Sequence, residues 1–328
     1  MCQWHNHRKM KPIGGFLEFE LPQIGQSFHP EAVALSTGRG GIRFMLQHLD
    51  IEKCYVPFYS CDSVLDPFEA EGIEIEFYEI DEQLEPKALP ELEEKTYFLY
   101  INFYGIKTQV VDRLLQHYGD KLIIDNVHLF FAKGYPNNWS FTSARKYFGV
   151  PDGAYVYPPR QTSVNLPTDK YKPTQIDHLV NRLIGDRELA YQQNVTHEGS
   201  LRPEIKIMST FSEKMLNAID YESVQAIRQE NFQWLHQQLS PYNQLIINVP
   251  LNTTCFRYPF LPPRLIPKGP FYQQQLFIPS FWSDVNHRAV DGFEWEKQLS
   301  KQLFPLPIDH RYRTKDLQRL VDFIIEQL

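Results

Sequence analysis

The stretch LIIDNVH at positions 122–128, followed after one loop by SARKYFGVPDG at positions 143–153, decides the fold of this chain. Asp125 closes a strongly apolar run, as an acid does at the carboxyl end of a buried parallel strand. Lys146 follows twenty-one residues later, three places after Ser143 and just ahead of two glycines. The stretch therefore predicts a parallel sheet with reactive side chains at one edge.

An acid at a strand end, a Ser-x-x-Lys and a glycine-rich turn, in this order, are the parts with which an enzyme holds pyridoxal phosphate. Lys146 would form the internal aldimine with the cofactor aldehyde, and Asp125 would keep the pyridine nitrogen protonated. The hydroxyl of Ser143 and nearby backbone N–H groups would bind the phosphate. His128 would pack on the ring or form a hydrogen bond with its phenolic oxygen.

Each of these residues also has a purely structural interpretation. Asp125 would then be a turn residue or helix N-cap, His128 a core histidine and Lys146 a surface lysine before a turn. The order of the whole set, rather than any one member, favours the cofactor site.

A second candidate for phosphate binding is STGRGG at positions 36–41, ahead of an apolar helical pattern. Thr37, Gly38 and Arg39 would offer a hydroxyl, free N–H groups and the favourable end of a helix dipole. Plain N-capping explains the same residues equally well. The sequence contains no G-x-x-x-x-G-K-[ST] and no G-x-G-x-x-G, so nucleotide-binding alternatives find little support.

Composition excludes several classes of protein. The 328 residues carry a net charge of −7, which leaves no basic excess to neutralise the phosphates of a nucleic acid. The four cysteines form no C-x-x-C pair, which argues against a disulfide framework or zinc site and fits a reducing cytoplasm. The first ten residues lack the apolar core of a signal peptide, and no run approaches the ~18 apolar residues of a membrane span. We expect a cytoplasmic protein with no nucleic-acid or membrane partner.

Strand and helix patterns alternate through the first half of the chain. The predicted elements are a helix at 29–49, a strand at 54–59, a helix at 63–70, strands at 74–80 and 97–103, a helix at 110–118, and strands at 121–124 and 153–157. This alternation predicts an α/β fold with a mostly parallel open sheet covered by helices on both faces. Asn102 and Asp125 each close an apolar strand, so both are expected in the crevice at the strand ends.

Helical patterns dominate the second half, over 174–239 and again over 315–328. A short strand is predicted at 245–249, and the proline-rich stretch 259–270 is expected to lack regular structure. We therefore predict a large domain at 1–205 and a smaller C-terminal α/β domain at 206–328.

Two further clusters carry weaker signals. The run HRYR at positions 310–313 would bind a substrate carboxylate through its arginines, or simply begin the last helix. Cys2, His5 and His7 would suit a metal, but a frayed terminus is the favoured explanation, and no metal site is predicted.

Taken together these segments resemble the DegT/StrS-type sugar aminotransferases, which are fold-type I pyridoxal-phosphate enzymes. The resemblance covers roughly residues 14–157 and is carried by LSTGR (35–39), VPFYSC (56–61), NFYG (102–105), DNVH (125–128) and KYFGVPDG (146–153). It places the pyridine acid, the Gln or His three residues later and the Schiff-base lysine on Asp125, His128 and Lys146. Cys61 falls where an aromatic residue usually covers the cofactor ring. The Tyr-Asn-x-Arg-type segment that reaches the partner's site has no clear counterpart.

The resemblance implies a homodimer that binds pyridoxal phosphate and transfers an amino group from an amino acid, expected to be glutamate. The acceptor would be a keto group on a sugar or a similar polar metabolite. Thr37, Gly38, Arg39, Cys61, Asn102 and Ser143 would bind the cofactor together with the catalytic set Asp125, His128 and Lys146.

Two alternatives stay open. The first is another pyridoxal-phosphate reaction on a sugar, such as a dehydration. Lys146 argues against it, because dehydratases of the family carry His at this position. The second is a protein that binds the cofactor without turnover and serves regulation or assembly.

Overall fold

A seven-stranded sheet forms the centre of the fold in the computed structural model, which describes residues 19–22, 24–160, 166 and 176–328. In spatial order the strands are β3, β2, β4, β5, β6, β7 and β1. Neighbours from β3 to β6 run parallel, whereas β7 runs antiparallel to both β6 and β1. The strands are β1 (Val33–Leu35), β2 (Lys53–Pro57), β3 (Glu74–Tyr78), β4 (Thr96–Ile101), β5 (Leu122–Asp125), β6 (Ser140–Ser143) and β7 (Ala154–Tyr157).

Ten helices accompany the strands within the described residues. Helix α1 contacts β1, β6 and β7 at one side of the sheet, and α3 contacts the central strand β5. The helices are α1 (Gly38–Leu46), α2 (Asp62–Glu71), α3 (Thr108–Tyr118), α4 (Asp177–Ile184), α5 (Arg187–Ser200), α6 (Thr210–Asn217), α7 (Tyr221–Leu239), α8 (Gly269–Gln273), α9 (Glu294–Gln302) and α10 (Thr314–Glu326).

The predicted α/β fold with a mostly parallel sheet is confirmed. Strands β4 and β5 are apolar along almost their whole length, and β5 is buried at every position. Such strands are stable only when the sheet is covered on both faces, which is why their sequences show no alternation. Their carboxyl ends place Ile101 and Asp125 side by side in register.

Several predicted elements differ from the structure. The helix expected at 29–49 is a strand followed by a helix, because Thr37 accepts a hydrogen bond from the Gly40 N–H and begins α1 only at Gly38. Strand β6 was not predicted, because its sequence SFTS is mostly polar and does not form an apolar run. No strand forms at 245–249, where the backbone is irregular.

The C-terminal part contains a two-stranded antiparallel sheet of β8 (Tyr258–Phe260) and β9 (Phe304–Leu306). Strand β8 and helix α8 overlap the two ends of the proline-rich stretch 259–270, so the expectation that this stretch lacks regular structure was wrong at its ends and right between them. Pro259 is tolerated because a strand of a two-stranded sheet has one free edge. The division of the chain near residue 206 stays a prediction.

Charged side chains of the C-terminal part bind the loop before α2 and so attach this part to the sheet domain. Asp284 Oδ2 accepts a hydrogen bond from the Asp62 N–H at 3.1 Å, at the start of α2. Arg288 donates to the carbonyl oxygens of Phe58 and Ser60 at 2.5 and 2.8 Å and forms an ion pair with Asp62. These contacts place the C-terminal segments over the carboxyl end of β2.

None of the helices in the described ranges combines the length and apolar character that a membrane span requires. Cys2, His5 and His7 lie outside those ranges.

Candidate active site

Asp125 lies at the carboxyl end of β5, between β4 and β6, and is 1% exposed. Its Oδ1 accepts a hydrogen bond from the Val127 N–H at 2.9 Å. Burial raises the pKa of this carboxyl from 3.8 to about 7, whereas the Val127 N–H and the charge of Lys146 lower it less. The structure therefore holds a carboxylate in a place that disfavours its charge.

His128 is buried three residues further on, and its proton can be assigned from its partner. Its Nδ1 lies 3.1 Å from the backbone N–H of Tyr104 and must accept that hydrogen bond, so a neutral ring carries its proton on Nε2. Burial, followed by the charges of Lys146 and Arg257, lowers the pKa of His128 well below its ordinary value. At neutral pH this residue is a neutral hydrogen-bond donor at Nε2.

The loop that meets His128 has an unusual backbone. Tyr104 and Gly105 both have positive φ angles, of 57° and 79°. A Cβ atom on Gly105 would lie 2.3 Å from the carbonyl oxygen of His128, so only glycine fits this close approach. Tyr104 is a bulky residue in a strained conformation, which is common where a site dictates the backbone.

Lys146 ends a short 3-10 turn, Ala144–Lys146, that follows β6 directly. The side chain is exposed, whereas its neighbours Tyr147 and Phe148 are buried and anchor the turn. The Tyr147 hydroxyl donates to the carbonyl oxygen of His128 at 2.7 Å. Through this bond the Lys146 turn is fixed to the segment that carries Asp125 and His128. The charge of Lys146 acts on both of those side chains.

Ser143 lies at the end of β6, where its Oγ is 3.4 Å from the carbonyl oxygen of Gly153. The backbone N–H of Ala144 donates to the same oxygen at 3.0 Å. The glycine-rich turn is therefore folded back onto the Ser-x-x-Lys segment. The role of Ser143 in phosphate binding stays a prediction.

At the predicted phosphate turn before α1, the side chains of Thr37 and Arg39 bond to other residues of the chain. Thr37 Oγ1 accepts from the Gly40 N–H at 3.0 Å, and Arg39 pairs with Asp66 at 3.0 Å. A Cβ on Gly40 would lie 2.3 Å from the carbonyl oxygen of Glu204, so the chain crosses this helix closely. The N-capping interpretation is thus realised, and binding of phosphate by Thr37, Gly38 and Arg39 stays a prediction.

Asn102 and Cys61 also have local partners. Asn102 is fully buried, donates to the Asn126 side chain at 3.1 Å and accepts from the Lys107 N–H at 2.9 Å. Its backbone N–H donates to the carbonyl oxygen of Asp125 at 2.9 Å, so it braces that residue. Cys61 Sγ lies 2.8 Å from Ser63 Oγ. Their contacts with a cofactor stay predictions.

Aromatic residues from the C-terminal part complete the site and were missed by the sequence analysis. The ring of Phe256 stacks on His128, with centroids 4.7 Å apart and an angle of 19°. Phe281 and Trp282 lie 6.1 and 5.4 Å from the same ring. The only available signals were the high aromatic content, 14%, and the FW pair at positions 281–282.

The crevice has the features that a cationic aromatic ring requires. A buried carboxylate with a raised pKa is stabilised when a protonated ring nitrogen donates to it. The Nε2–H of His128 can donate to a ring oxygen, and the exposed Lys146 amine is free to react with an aldehyde. Asp125, His128 and Lys146 therefore fit pyridoxal phosphate.

Several solved structures that resemble this one are aminotransferases. The Streptococcus pneumoniae sugar aminotransferase Spr1654, in its PLP form, is 12% identical with a TM-score of 0.62, over 90% of this chain and 86% of that one. CalS13, a sugar aminotransferase of Micromonospora echinospora, is 13% identical with a TM-score of 0.59, over 92% and 88% of the two chains. A DegT DnrJ EryC1 StrS aminotransferase of Brucella abortus is 12% identical with a TM-score of 0.58, over 90% and 85%. This chain has the fold of the sugar aminotransferases.

The expected fold class is thereby confirmed over nine-tenths of the chain. At the level of sequence, no family model and no curated protein matches. This chain therefore has the fold of the three aminotransferase structures although its sequence is only 12–13% identical to theirs.

The raised pKa of Asp125 predicts a pH-dependent stability in the absence of cofactor. Because the folded pKa of about 7 exceeds the unfolded value of 3.8, the folded state retains a proton that the unfolded state loses. Stability from this group is present below about pH 4 and is lost as the pH rises through 7. The Asp125→Asn variant keeps an oxygen for the Val127 N–H and lacks the titration. We expect the free energy of unfolding of this variant, relative to that of the parent protein, to rise by roughly 2 kcal/mol between pH 5 and pH 8.

Urea unfolding of both proteins at the two pH values measures this difference. If the difference in free energy of unfolding between variant and parent does not change with pH, Asp125 is ionised in the folded state across this range.

Proposed function

We propose that this protein is a pyridoxal-phosphate-dependent aminotransferase that moves an amino group from an amino acid, with glutamate as the donor, to a keto group of a sugar or similar polar metabolite. One observation carries the proposal. The carboxyl of Asp125 is buried at a strand end, within the electrostatic range of an exposed Lys146, in a chain with the sugar-aminotransferase fold.

Each residue of the site has a role that follows from its surroundings. Bound pyridoxal phosphate supplies an electron sink that weakens the bonds at the α-carbon of an amino acid. Asp125 would accept a hydrogen bond from the ring N–H and keep that nitrogen protonated. His128 would donate from Nε2 to the ring oxygen, and Ser143, Thr37 and Gly38 would hold the phosphate.

Lys146 has two tasks, first attachment and then proton transfer. Its Nζ would hold the cofactor by a covalent bond to the aldehyde carbon. The same amine, when not bonded to the cofactor, would take a proton from the α-carbon of the amino donor. The anchored turn supports this role, because Tyr147 and Phe148 are buried while the lysine side chain stays exposed.

The comparisons support the choice of acceptor. Spr1654 and CalS13 are sugar aminotransferases, and Spr1654 was solved in its PLP form. The presence of Lys146 favours amino transfer over dehydration, because a dehydratase of the resembled family carries His at this position.

We expect the purified protein to take up pyridoxal phosphate, to absorb near the edge of the visible range, and to carry the cofactor on Lys146 after borohydride reduction. The Lys146→Ala variant would bind the cofactor without a covalent bond. The Lys301→Ala variant, which removes an exposed lysine of α9, is the control and would label normally. Peptide mass spectrometry locates the label. A label on another lysine, or no uptake, would refute the assignment.

Incubation of the loaded protein with glutamate tests the reaction. We expect conversion of the cofactor to its pyridoxamine form with release of 2-oxoglutarate, and about a thousandfold slower conversion in Lys146→Ala because the proton acceptor is gone. Absorbance and product analysis measure both rates. Normal turnover by Lys146→Ala would contradict the role of this residue.

A second candidate is cofactor binding without turnover. It is favoured by Cys61, which stands where the resembled family has a ring-covering aromatic residue and which contacts Ser63 instead. In that case the protein would load with cofactor, yet no common amino donor would change its spectrum.

We also propose that the protein is a homodimer, and the hairpin of α4 and α5 supports this. Leu183, Ile184 and Tyr191 are 85%, 72% and 70% exposed, which is unusual for apolar side chains on neighbouring helices. The hairpin adjoins the Lys146 turn through an ion pair between Arg145 and Glu198. A second copy on this face would therefore lie next to the site.

Sedimentation equilibrium tests this arrangement. We expect a dimer for the parent protein and a monomer for the double variant Leu183→Glu, Ile184→Glu, because two buried charges would destabilise the contact. Leu265→Glu, at a leucine that is 61% exposed elsewhere, is the control and should remain dimeric. A monomeric parent protein at micromolar concentration would refute the proposal.

We place the protein in the cytoplasm. Cys54, Cys61 and Cys255 are free thiols, and two of them are buried, as suits a reducing compartment. Fractionation of cells that express the tagged chain tests this, and recovery with the secreted proteins would contradict it.

A further inference from the structure

Asp152 lies in the glycine-rich turn after Lys146, and its carboxylate is bonded to a different element of the fold. The residue is 9% exposed, and its Oδ2 accepts a hydrogen bond from the Ser209 N–H at 2.8 Å. Its Oδ1 accepts from the hydroxyl of Ser209 at 2.6 Å and from the hydroxyl of Ser212. Both serines lie at the start of α6, where Ser209 is the N-cap. One side chain therefore joins the turn after Lys146 to α6.

The start of α6 is a favourable place for this carboxylate. The N–H groups at the beginning of a helix stabilise a negative charge, and a hydrogen bond to an ionised group is about twice as strong as one between neutral groups. Loss of the carboxylate would also leave buried donors of α6 without an acceptor, which is costly. The bond between the turn and the helix is therefore a strong one.

The start of α6 is itself attached to the sheet. The Met208 N–H donates to the carbonyl oxygen of Ala34 at 3.1 Å, and the Ser36 N–H donates to the carbonyl oxygen of Lys206 at 2.8 Å. These bonds join the segment before α6 to the edge strand β1. Asp152 therefore binds a point that the sheet holds in place, which makes its own position well defined.

Gly153 connects Asp152 to the residues just before Lys146. The Ala144 N–H donates to the carbonyl oxygen of Gly153 at 3.0 Å, and the Gly153 N–H donates to the carbonyl oxygen of Ser36 at 2.7 Å. The φ angle of Gly153 is 135°, and a Cβ on this residue would lie 3.3 Å from the Cβ of Ala144. The two segments are in close contact, so a displacement of Asp152 would also displace the backbone that leads to Lys146.

The direction in which Lys146 extends depends on this backbone. Its side chain is exposed, so packing does little to hold it. Tyr147 is bonded to the carbonyl oxygen of His128, and Arg145 pairs with Glu198 of α5. These contacts hold the two neighbours of Lys146 in the chain, whereas the glycine-rich turn is held by Asp152.

We propose that Asp152 is a positioning residue for Lys146, because by binding the start of α6 it fixes the backbone that carries the reactive amine. Transfer of a proton requires the amine within hydrogen-bond reach of its target, and a displacement of about 1 Å can slow a reaction about a hundredfold. The effect on the reaction rests on the proposed function, whereas the fixed turn does not.

Hydrogen–deuterium exchange of the full chain without cofactor tests the turn directly. In Asp152→Asn, an amide group that donates replaces an oxygen that accepts, so bonds from α6 are lost. We expect exchange at least about tenfold faster in peptides that cover residues 144–153, and unchanged exchange in β4. Asp81→Asn is the matched control, because Asp81 Oδ1 accepts from two backbone N–H groups, at 2.8 and 2.9 Å, in a turn at the opposite edge of the sheet. It should leave exchange at 144–153 as in the parent protein.

The protein loaded with pyridoxal phosphate shows whether the fixed turn serves the reaction. With glutamate we expect Asp152→Asn to lower kcat by about tenfold to a hundredfold and to change KM by less than about twofold, because the amine is misplaced while the groups that bind the donor are intact. Asp81→Asn should convert the cofactor at the rate of the parent protein. Ser212→Ala removes one of the bonds to Asp152 and should change both exchange and kcat in the same direction by less, so it carries the test if Asp152→Asn does not fold.

The outcomes separate this role from the proposed function. Exchange at 144–153 that is equal in the parent protein and both variants of the network would overturn the proposal, and so would faster exchange with an unchanged kcat. A rise in KM alone would assign Asp152 to binding of the donor and overturn it as well. Faster exchange around Lys146 in a protein that takes up no pyridoxal phosphate would keep Asp152 as the residue that fixes Lys146 and refute the aminotransferase.

Discussion

The burial of one carboxylate organises the candidate site. Asp125 is enclosed by β4 and β6 because β5 is apolar up to its last residue and runs through the middle of the sheet. Its charge is disfavoured there unless a cation reaches it, and the raised pKa expresses this cost. The surrounding polar groups hold the backbone around Asp125 in place but do not neutralise the charge of its carboxylate. Asn102 braces the backbone of Asp125, and Tyr147 holds that of His128.

Aromatic residues from the second half of the chain cover the crevice at the carboxyl ends of the strands. Phe256 stacks on His128, and Trp282 packs against Tyr104 with both residues at positive φ angles. Two bulky residues in this conformation are costly and are kept only when the surroundings dictate them. The ring of Phe256 also lies 5.2 Å from the guanidinium of Arg257, so it contacts both His128 and that arginine.

Local signals in the sequence predicted the parts of the fold that depend on local chemistry. The apolar runs of β4 and β5 and the order of Asp125, His128 and Lys146 could be found because each is a short pattern with a physical reason. Strand β6 escaped because SFTS is polar, although every residue in it is buried. Phe256, Phe281 and Trp282 lie more than a hundred positions after Lys146 in the chain, and no local pattern predicts contacts between residues so far apart. For the same reason the strand expected at 245–249 was wrong, since nothing pairs with it in the described chain.

The protonation state of the cofactor ring tests the central claim most directly. Pyridoxal phosphate labelled with ¹⁵N at the ring can be bound to the protein and its nitrogen chemical shift measured at neutral pH. If the buried carboxylate of Asp125 exists to hold a cation, the ring nitrogen will be protonated in the parent protein and unprotonated in Asp125→Asn. An unprotonated nitrogen in the parent protein, or the same shift in both proteins, would contradict the account.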